Sequence, residues 1–358
     1  MSRPLSRPIK KDILPSALKP LKPVLFSEST STRLVPNIRS LSWSPTGSLI
    51  ATCTSSNIRI WNPERPNVKS STEIRNGHSV TAGGSGAVVE KVVFCPTTEN
   101  VLASTGHDGG VRLWDVRVPG GAVGAGKGTA LADVKIGDPC LFLTWHPNAR
   151  EMLVGTKEDA IHSVDVRRMT DHDSTNSKWA LESTERIPPA KSSSPRYYAM
   201  TFSNSGREIF ATTGDGPVKI LDYPTMTPLH TLTAHTYATY SVQHSPRGDY
   251  LAVGGGDSTI TLWDTYNWHC AHALTAHTSA IRDLSFSFDG AYLICGSGSD
   301  FKEGEKGIEI YHADTGDVAH TIDTGNAVTV AQWHPYRYWV AYAGDAGGMK
   351  IVGPGGNV

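Results

Sequence analysis

The sequence has few cysteines and no long apolar segment. Its five cysteines in 358 residues show no close spacing, so they do not form a disulfide framework, and we expect a reducing compartment. The opening residues, MSRPLSRPIKKDILPS, lack the apolar stretch of a signal peptide. No run approaches the roughly 18 apolar residues that a transmembrane helix needs, so no membrane partner is predicted.

The sequence also lacks an excess of either charge. The 33 Lys and Arg residues nearly balance the 34 Asp and Glu residues, which leaves a formal net charge of −1. Such a balance is not typical of a general nucleic-acid binder, whose basic residues cluster to neutralise phosphates. In contrast, glycine and proline are abundant, with 35 and 22 residues, and this abundance indicates many turns.

One pattern repeats seven times along the chain. A short β-type run ends in a ring-bearing residue and is followed by a turn; these residues are Trp43, Phe94, Trp145, Phe202, His244, Phe286 and Trp333. A second pattern follows each of these turns. It is a run of alternating apolar and polar residues, and the runs end at Trp61, Trp114, Val164, Leu221, Trp263, Tyr311 and Val352. The spacing averages about 45 residues, which is typical of a WD40 blade.

These repeats predict an all-β fold, a seven-bladed WD40 β-propeller over residues 24–353. The glycine-rich end, residues 354–358, is unsuited to an outer strand, so we predict that it is flexible. The last blade therefore needs a strand from the N-terminal side of the chain. The two candidates for this closing strand are Val24–Phe26 and residues 32–35.

Two repeats contain residues typical of a buried hydrogen-bond relay. In such a relay, an Asp and a His satisfy each other and the turn backbone beneath an indole N–H. In the second repeat these residues are His78, Ser104, Asp108 and Trp114. The fifth repeat has His235, Asp257 and Trp263 but places Val253 where the hydroxyl is expected.

Residues 1–23 form a basic, proline-rich segment, which predicts a disordered tail. Such a tail either remains solvated or serves as a docking arm for a protein or for RNA phosphates through Arg7, Lys10 and Lys11. Three insertions, at residues 62–87, 118–130 and 170–196, each follow a third strand. They are expected to lengthen an outer strand or its exit loop, and their role stays open.

Residues 114–117 read WDVR and end on Arg117. This ending resembles the box with which some propellers dock the adaptor of a cullin-based ubiquitin ligase. Arg117 is therefore a candidate partner-binding residue, since an exposed guanidinium pairs well with a carboxylate. The alternative is that Arg117 is a solvated residue at the end of a strand.

The sequence predicts no catalytic site. It contains no G-x-S-x-G, H-E-x-x-H or paired-carboxylate signature. Residues 121–127, GAVGAGK, lack the Ser or Thr and the following helix of a phosphate-binding loop. His269, Cys270 and His272 do not make a zinc site, because strand alternation turns His269 away and leaves only two ligands, Cys270 and His272, on one side. We therefore expect no enzyme, cofactor, metal or small-molecule substrate, unless a site is concealed in the central channel.

Several passages of the sequence resemble the WD40 subunit of the THO complex. They include VKILDYPT from Val218, GGDSTITLWDT ending at Thr265 and AVTVAQWHP ending at Pro335. This resemblance implies a nuclear, non-catalytic scaffold whose partners are other THO subunits. Through them it would reach the RNA helicase of the transcription–export (TREX) machinery and mRNA. Given the neutral charge, direct RNA binding by the propeller is expected to be weak.

Overall fold

The computed structural model describes twelve stretches of the chain. These are residues 8–18, 23–26, 37–55, 57–65, 71–75, 77–78, 88–117, 130–170, 177–188, 196–298, 306–344 and 348–354. Within them, 28 strands form seven antiparallel sheets of four strands each, and one short helix precedes the first strand. The predicted all-β, seven-bladed propeller is confirmed.

Each blade is described from its innermost to its outermost strand. Blade 1 contains β2 (Ser40–Trp43), β3 (Ile50–Cys53), β4 (Asn57–Trp61) and β5 (Thr72–Arg75). Blade 2 contains β6 (Val89–Phe94), β7 (Val101–Gly106), β8 (Gly110–Asp115) and β9 (Ala132–Lys135). Blade 3 contains β10 (Cys140–Trp145), β11 (Glu151–Thr156), β12 (Ile161–Thr170) and β13 (Ser177–Ile187). Blade 4 contains β14 (Tyr197–Phe202), β15 (Glu208–Thr213), β16 (Val218–Asp222) and β17 (Pro228–Leu232).

The remaining blades follow the same order. Blade 5 contains β18 (Thr239–His244), β19 (Tyr250–Gly255), β20 (Ile260–Asp264) and β21 (Cys270–Leu274). Blade 6 contains β22 (Ile281–Phe286), β23 (Tyr292–Ser297), β24 (Gly307–His312) and β25 (Val318–Asp323). Blade 7 contains β26 (Val330–Trp333), β27 (Val340–Ala343), β28 (Met349–Val352) and, outermost, β1 (Val24–Phe26).

The core is divided among the blade interfaces. The described residues form seven apolar clusters, and each cluster joins two neighbouring blades. The middle strands carry nearly continuous buried runs, as in Val101–Gly106 of blade 2, because both of their faces meet another sheet. Apolar contact between adjacent blades therefore holds the ring, including the blades that lack a complete relay.

The chain closes the ring with its first strand. Val24 pairs with Ile351 and Phe26 with Met349, so β1 covers the outer edge of blade 7. Phe26 is 1% exposed and meets the Trp61 ring edge-on, with 5.8 Å between the ring centres. The closing strand is thus the first of the two candidates, and residues 32–35 lie outside the described residues.

The N-terminal segment differs from its predicted disorder over residues 8–18. These residues pack against blades 6 and 7, and the helix α1 (Leu14–Leu18) buries both of its leucines there. The backbone N–H of Ile9 donates to the Tyr338 hydroxyl at 3.1 Å, and the Tyr292 hydroxyl donates to the Ile9 carbonyl at 2.7 Å. The reason is that leucines four residues apart present one apolar face of a helical turn despite the surrounding basic residues.

The third insertion lengthens a blade, as expected for an outer strand. Strands β12 and β13 pair from Ile161 with Ile187 to Thr170 with Ser177, which makes them the longest strands described. Residues 79–87 and 118–129 of the other insertions lie outside the described residues, as do residues 171–176 and 189–195.

Candidate functional site

The relay residues of blade 2 form one continuous hydrogen-bonded chain. The Trp114 indole N–H donates to Ser104 Oγ at 2.8 Å, and Ser104 Oγ lies 2.7 Å from His78 Nε2. His78 Nδ1 lies 2.8 Å from Asp108 Oδ1, which also accepts the backbone N–H of Gly110 at 3.1 Å. The relay therefore ties the segment before the blade to the turn between β7 and β8.

Electrostatics leave the two titratable groups of this relay in different charge states, with a neutral His78 beside an ionised Asp108. Burial lowers the pKa of His78, despite the opposing effect of Asp108, so the ring is neutral at pH 7. Burial alone would raise the pKa of Asp108, but the hydrogen bonds from His78 and Arg112, together with the charge of Arg112, outweigh burial and lower that pKa. Arg112 donates to Asp108 Oδ2 at 2.7 Å, so the ionised carboxylate has a partly buried cationic partner.

Blade 5 forms the same relay with a hydroxyl that sequence reasoning missed. The Trp263 indole donates to Thr261 Oγ1 at 2.9 Å, and Thr261 Oγ1 lies 2.9 Å from His235 Nε2. His235 Nδ1 lies 3.0 Å from Asp257. Thr261 is the direct cross-strand partner of Val253, so the hydroxyl has moved to the adjacent strand. Its position two residues before Trp263, on the same face of β20, was the available signal.

Blade 6 contains a further variant that the sequence analysis did not identify. Here Tyr311 replaces the tryptophan, and its hydroxyl lies 2.9 Å from His277 Nε2 while donating to Glu309. Cys295 Sγ approaches the same nitrogen at 3.3 Å. The three relays use buried histidines as structural links, which accounts for them without catalytic chemistry.

The predicted partner-binding residues do not form one surface. Arg7 lies outside the described residues, and Lys10 is exposed beside the docked helix. Lys11 forms an ion pair with Asp317 at 2.5 Å. Arg117 is 69% exposed, yet its guanidinium bonds both carboxylate oxygens of Asp115, at 3.0 and 2.6 Å. These hydrogen bonds lower the pKa of Asp115.

A polar channel runs along the axis of the ring. It has a volume of about 280 Å³ and is lined by the innermost strands of all seven blades. Its inner wall carries small polar and amide groups, among them Ser42, Thr144, Thr201, Gln243 and Gln332. The channel is therefore a hydrated opening, unlike the apolar pockets that bury most small molecules.

One end of this channel carries charged and aromatic side chains at equivalent positions. We call this end the channel mouth, formed by Arg39, Glu90, Leu141, Tyr198, Tyr240 and Arg282. Arg39 donates to Glu90 at 2.9 Å, and His107 lies 3.3 Å from the same carboxylate. The guanidinium of Arg282 lies 4.3 Å from the centre of the Tyr240 ring.

Two further charged groups lie just inside the mouth. Asp283 accepts the backbone N–H groups of Leu284 and Ala331 at 3.1 and 3.2 Å. Burial raises its pKa to about 6, although the charge of Lys91 opposes that shift. No described carboxylate lies within 4.0 Å of the Lys91 amine, so this cation faces the channel without an ion pair.

No group of three or more His, Cys, Asp or Glu side chains among the described residues is arranged to hold a metal ion. His272 instead contacts the Asp314 carbonyl at 3.1 Å. None of the described helices has the length and apolarity required to cross a membrane.

Sequence comparison relates the repeats to known proteins. The family model "WD domain, G-beta repeat" matches residues 30–62, 72–115, 226–264 and 268–302. These ranges include the relays of blades 2 and 5. The chain is 28% identical over 310 residues to THO complex subunit 3 of Arabidopsis thaliana, which covers 86% of each chain. It is 25% identical over 257 residues to WD repeat-containing protein AAC3 of Dictyostelium discoideum, covering 64% of this chain and 47% of that protein.

Comparison with solved structures supports the architecture. The Cps50 (Swd1) β-propeller domain of Myceliophteria thermophila superposes with a TM-score of 0.67 and 17% identity. The match covers 88% of this chain and 96% of that domain. At this identity the likeness shows the fold alone.

Proposed function

This chain is a WD40-repeat propeller whose similarity to THO complex subunit 3 supports the THO subunit family, and from that premise we propose a non-catalytic scaffold of the THO complex. Its partners are the other THO subunits. Through them it contributes, in the nucleus, to coupling transcription with mRNA processing and export by the TREX machinery. The observation that carries this proposal is the similarity over most of both chains.

The structure supports a scaffold in two respects. Seven blades joined by apolar interfaces make a rigid body whose rims and outer wall can hold several proteins at once. Buried histidines are candidate acid–base groups in an enzyme. Here they form structural hydrogen bonds, as in His78 with Asp108 and His235 with Asp257. A non-catalytic role is therefore the better account of these residues.

Affinity purification from nuclear extract tests the proposal directly. The tagged full chain is expected to retain the other THO subunits after a wash at moderate salt, with the tag alone as control. Fractionation of the same cells is expected to place the protein in the nucleus. Recovery from nuclei without any THO subunit would refute the proposal.

A substrate receptor for a cullin-based ubiquitin ligase is the alternative function, since residues 114–117 read WDVR. The pairing of Arg117 with Asp115 within blade 2 weakens it, because the guanidinium is already engaged. Arg117→Ala separates the two functions, and Arg167→Ala is a control because Arg167 likewise forms an ion pair with the Asp two residues before it, Asp165, on blade 3. Loss of ligase adaptor from R117A alone, with THO assembly intact, would favour the alternative.

The propeller itself is proposed to bind RNA weakly. The net charge of −1 provides no excess of cations, and binding of the phosphate backbone requires clustered Lys and Arg. In a filter-binding assay, residues 24–358 are expected to release single-stranded RNA at moderate salt. Tight binding that persists at high salt would contradict this expectation.

A further inference from the structure

We infer that the channel mouth is a docking site for an acidic peptide segment of a protein partner, with one Asp or Glu side chain inserted toward Lys91 and Arg282. This inference rests on the proposed scaffold function and adds to it a surface and a kind of partner.

The charges at the channel mouth and just inside it favour an anion. Three cations, Arg39, Lys91 and Arg282, face two carboxylates, Glu90 and Asp283. Glu90 is engaged by Arg39 and His107, and Asp283 by two backbone N–H groups. Among the described residues, Lys91 and Arg282 have no carboxylate within 4.0 Å. The mouth is thus locally positive on a chain with a net charge of −1.

The dimensions of the channel favour a single side chain. Its volume of about 280 Å³ lies just below the about 300 to 1,000 Å³ of pockets that bury drug-sized ligands. The polar wall solvates a carboxylate, whereas an apolar wall would penalise it. One acidic side chain, with its backbone resting across the mouth, fits this space.

The aromatic side chains favour a peptide over single-stranded RNA. Tyr198 and Tyr240 meet edge-on at 77°, with 5.1 Å between ring centres, and Arg282 covers one face of Tyr240. Base stacking needs open ring faces and a track of cations along the backbone. Here the cations surround one opening instead of following a track. The edges of the two tyrosine rings can contact a peptide backbone and its neighbouring side chains.

A binding assay with the purified full chain tests the inference. The probe is a fluorescein-labelled peptide of eight residues alternating Glu and Ala, and a Lys–Ala peptide of the same length serves as the charge control. We expect binding of the Glu–Ala peptide alone. We expect Arg282→Glu to weaken that binding by about tenfold or more, because the substitution replaces a cation with an anion at the docking site. Arg207→Glu, which changes an exposed arginine in the turn between β14 and β15 that does not line the channel, is expected to retain binding.

Three outcomes would overturn the inference. They are equal binding by the wild type and R282E, absence of Glu–Ala binding at low salt, and R282E-sensitive binding of oligouridylate in preference to the peptide. Lys91→Gln provides a second variant within the channel, and a thermal melt identifies any variant that fails to fold. The assay needs no other THO subunit, so its failure would leave the co-purification result unaffected.

Discussion

His334 in blade 7 contacts Gly47 in blade 1 across 287 positions of the chain. The ring Nε2 lies 3.1 Å from the Gly47 carbonyl oxygen, while Nδ1 accepts the backbone N–H of Tyr336 at 3.0 Å. These contacts require the neutral tautomer with a proton on Nε2. His146 makes the same 3.1 Å contact with Gly206 between blades 3 and 4. The histidine of the repeated turn therefore links neighbouring blades.

Gly47→Ala is expected to destabilise the fold at this junction. Gly47 has a φ of +69°, and an added Cβ would lie 2.2 Å from His334 Nε2. The substitution therefore combines backbone strain with a clash, and we expect a loss of about 3 kcal/mol in the free energy of unfolding. Urea denaturation followed by tryptophan fluorescence measures this loss.

Gly325→Ala is the matched control for that prediction. Gly325 has nearly the same φ, +72°, but its added Cβ would meet nothing within 4 Å. Gly325→Ala should therefore lower the free energy of unfolding only by the cost of backbone strain, about 1 kcal/mol. Equal losses in the two variants would show that the His334 contact does not stabilise the ring.

Thr261→Val is expected to destabilise blade 5. The substitution keeps the side-chain shape but leaves the buried Trp263 indole N–H and His235 Nε2 without their shared partner. The cost of such unsatisfied groups is about 1–3 kcal/mol, measurable by thermal unfolding. Adding Val253→Ser should recover part of this loss, because Val253 faces Thr261 across the strands. If the double variant regains no stability, a hydroxyl at position 253 cannot replace the one at position 261.

Asp108→Asn should remove a pH-dependent part of the stability. The pKa of Asp108 lies below its ordinary 3.8 in the folded state, so its stabilisation is complete above about pH 4 and declines as the pH falls toward the folded pKa. At pH 7 we expect a loss of about 2 kcal/mol, since a charged hydrogen bond is removed. Denaturation curves between pH 2 and 7 should converge with those of the wild type at low pH. Asp133→Asn, an exposed carboxylate on β9 of the same blade, should follow the wild type throughout.

Phe26→Ala should open the ring at blade 7. The side chain is 1% exposed against Trp61, so truncation leaves a cavity at the closing strand and should cost about 3–5 kcal/mol. Leu25→Ala is the control, because the neighbouring Leu25 is 49% exposed on the same strand. Hydrogen exchange of Met349–Val352 should increase in F26A alone. Unchanged exchange in F26A would mean that β1 does not protect this edge.

Much of the fold was predictable because each blade is a local unit. Turn residues and alternating runs recur within about 45 residues, so the number of blades and the order of their strands follow from short-range pattern. The closing strand was predictable for a different reason. The last repeat lacks a suitable fourth run, and Val24–Phe26 was one of two apolar segments available to complete it.

The sites were less predictable because they depend on contacts between strands and between blades. Spacing along the chain is enough to group His235, Asp257 and Trp263, but the cross-strand register makes Thr261 the residue that supplies their hydroxyl. The basic composition of residues 1–23 suggested a free tail. The two leucines of α1 are instead buried against blades 6 and 7, on a surface that exists only after these blades have packed. The channel likewise is lined by Lys91 from blade 2 and Arg282 from blade 6, which are far apart in the sequence. Local pattern determines which strands form, and only the closed ring decides which distant side chains meet, since packing between sheets has no counterpart in sequence spacing.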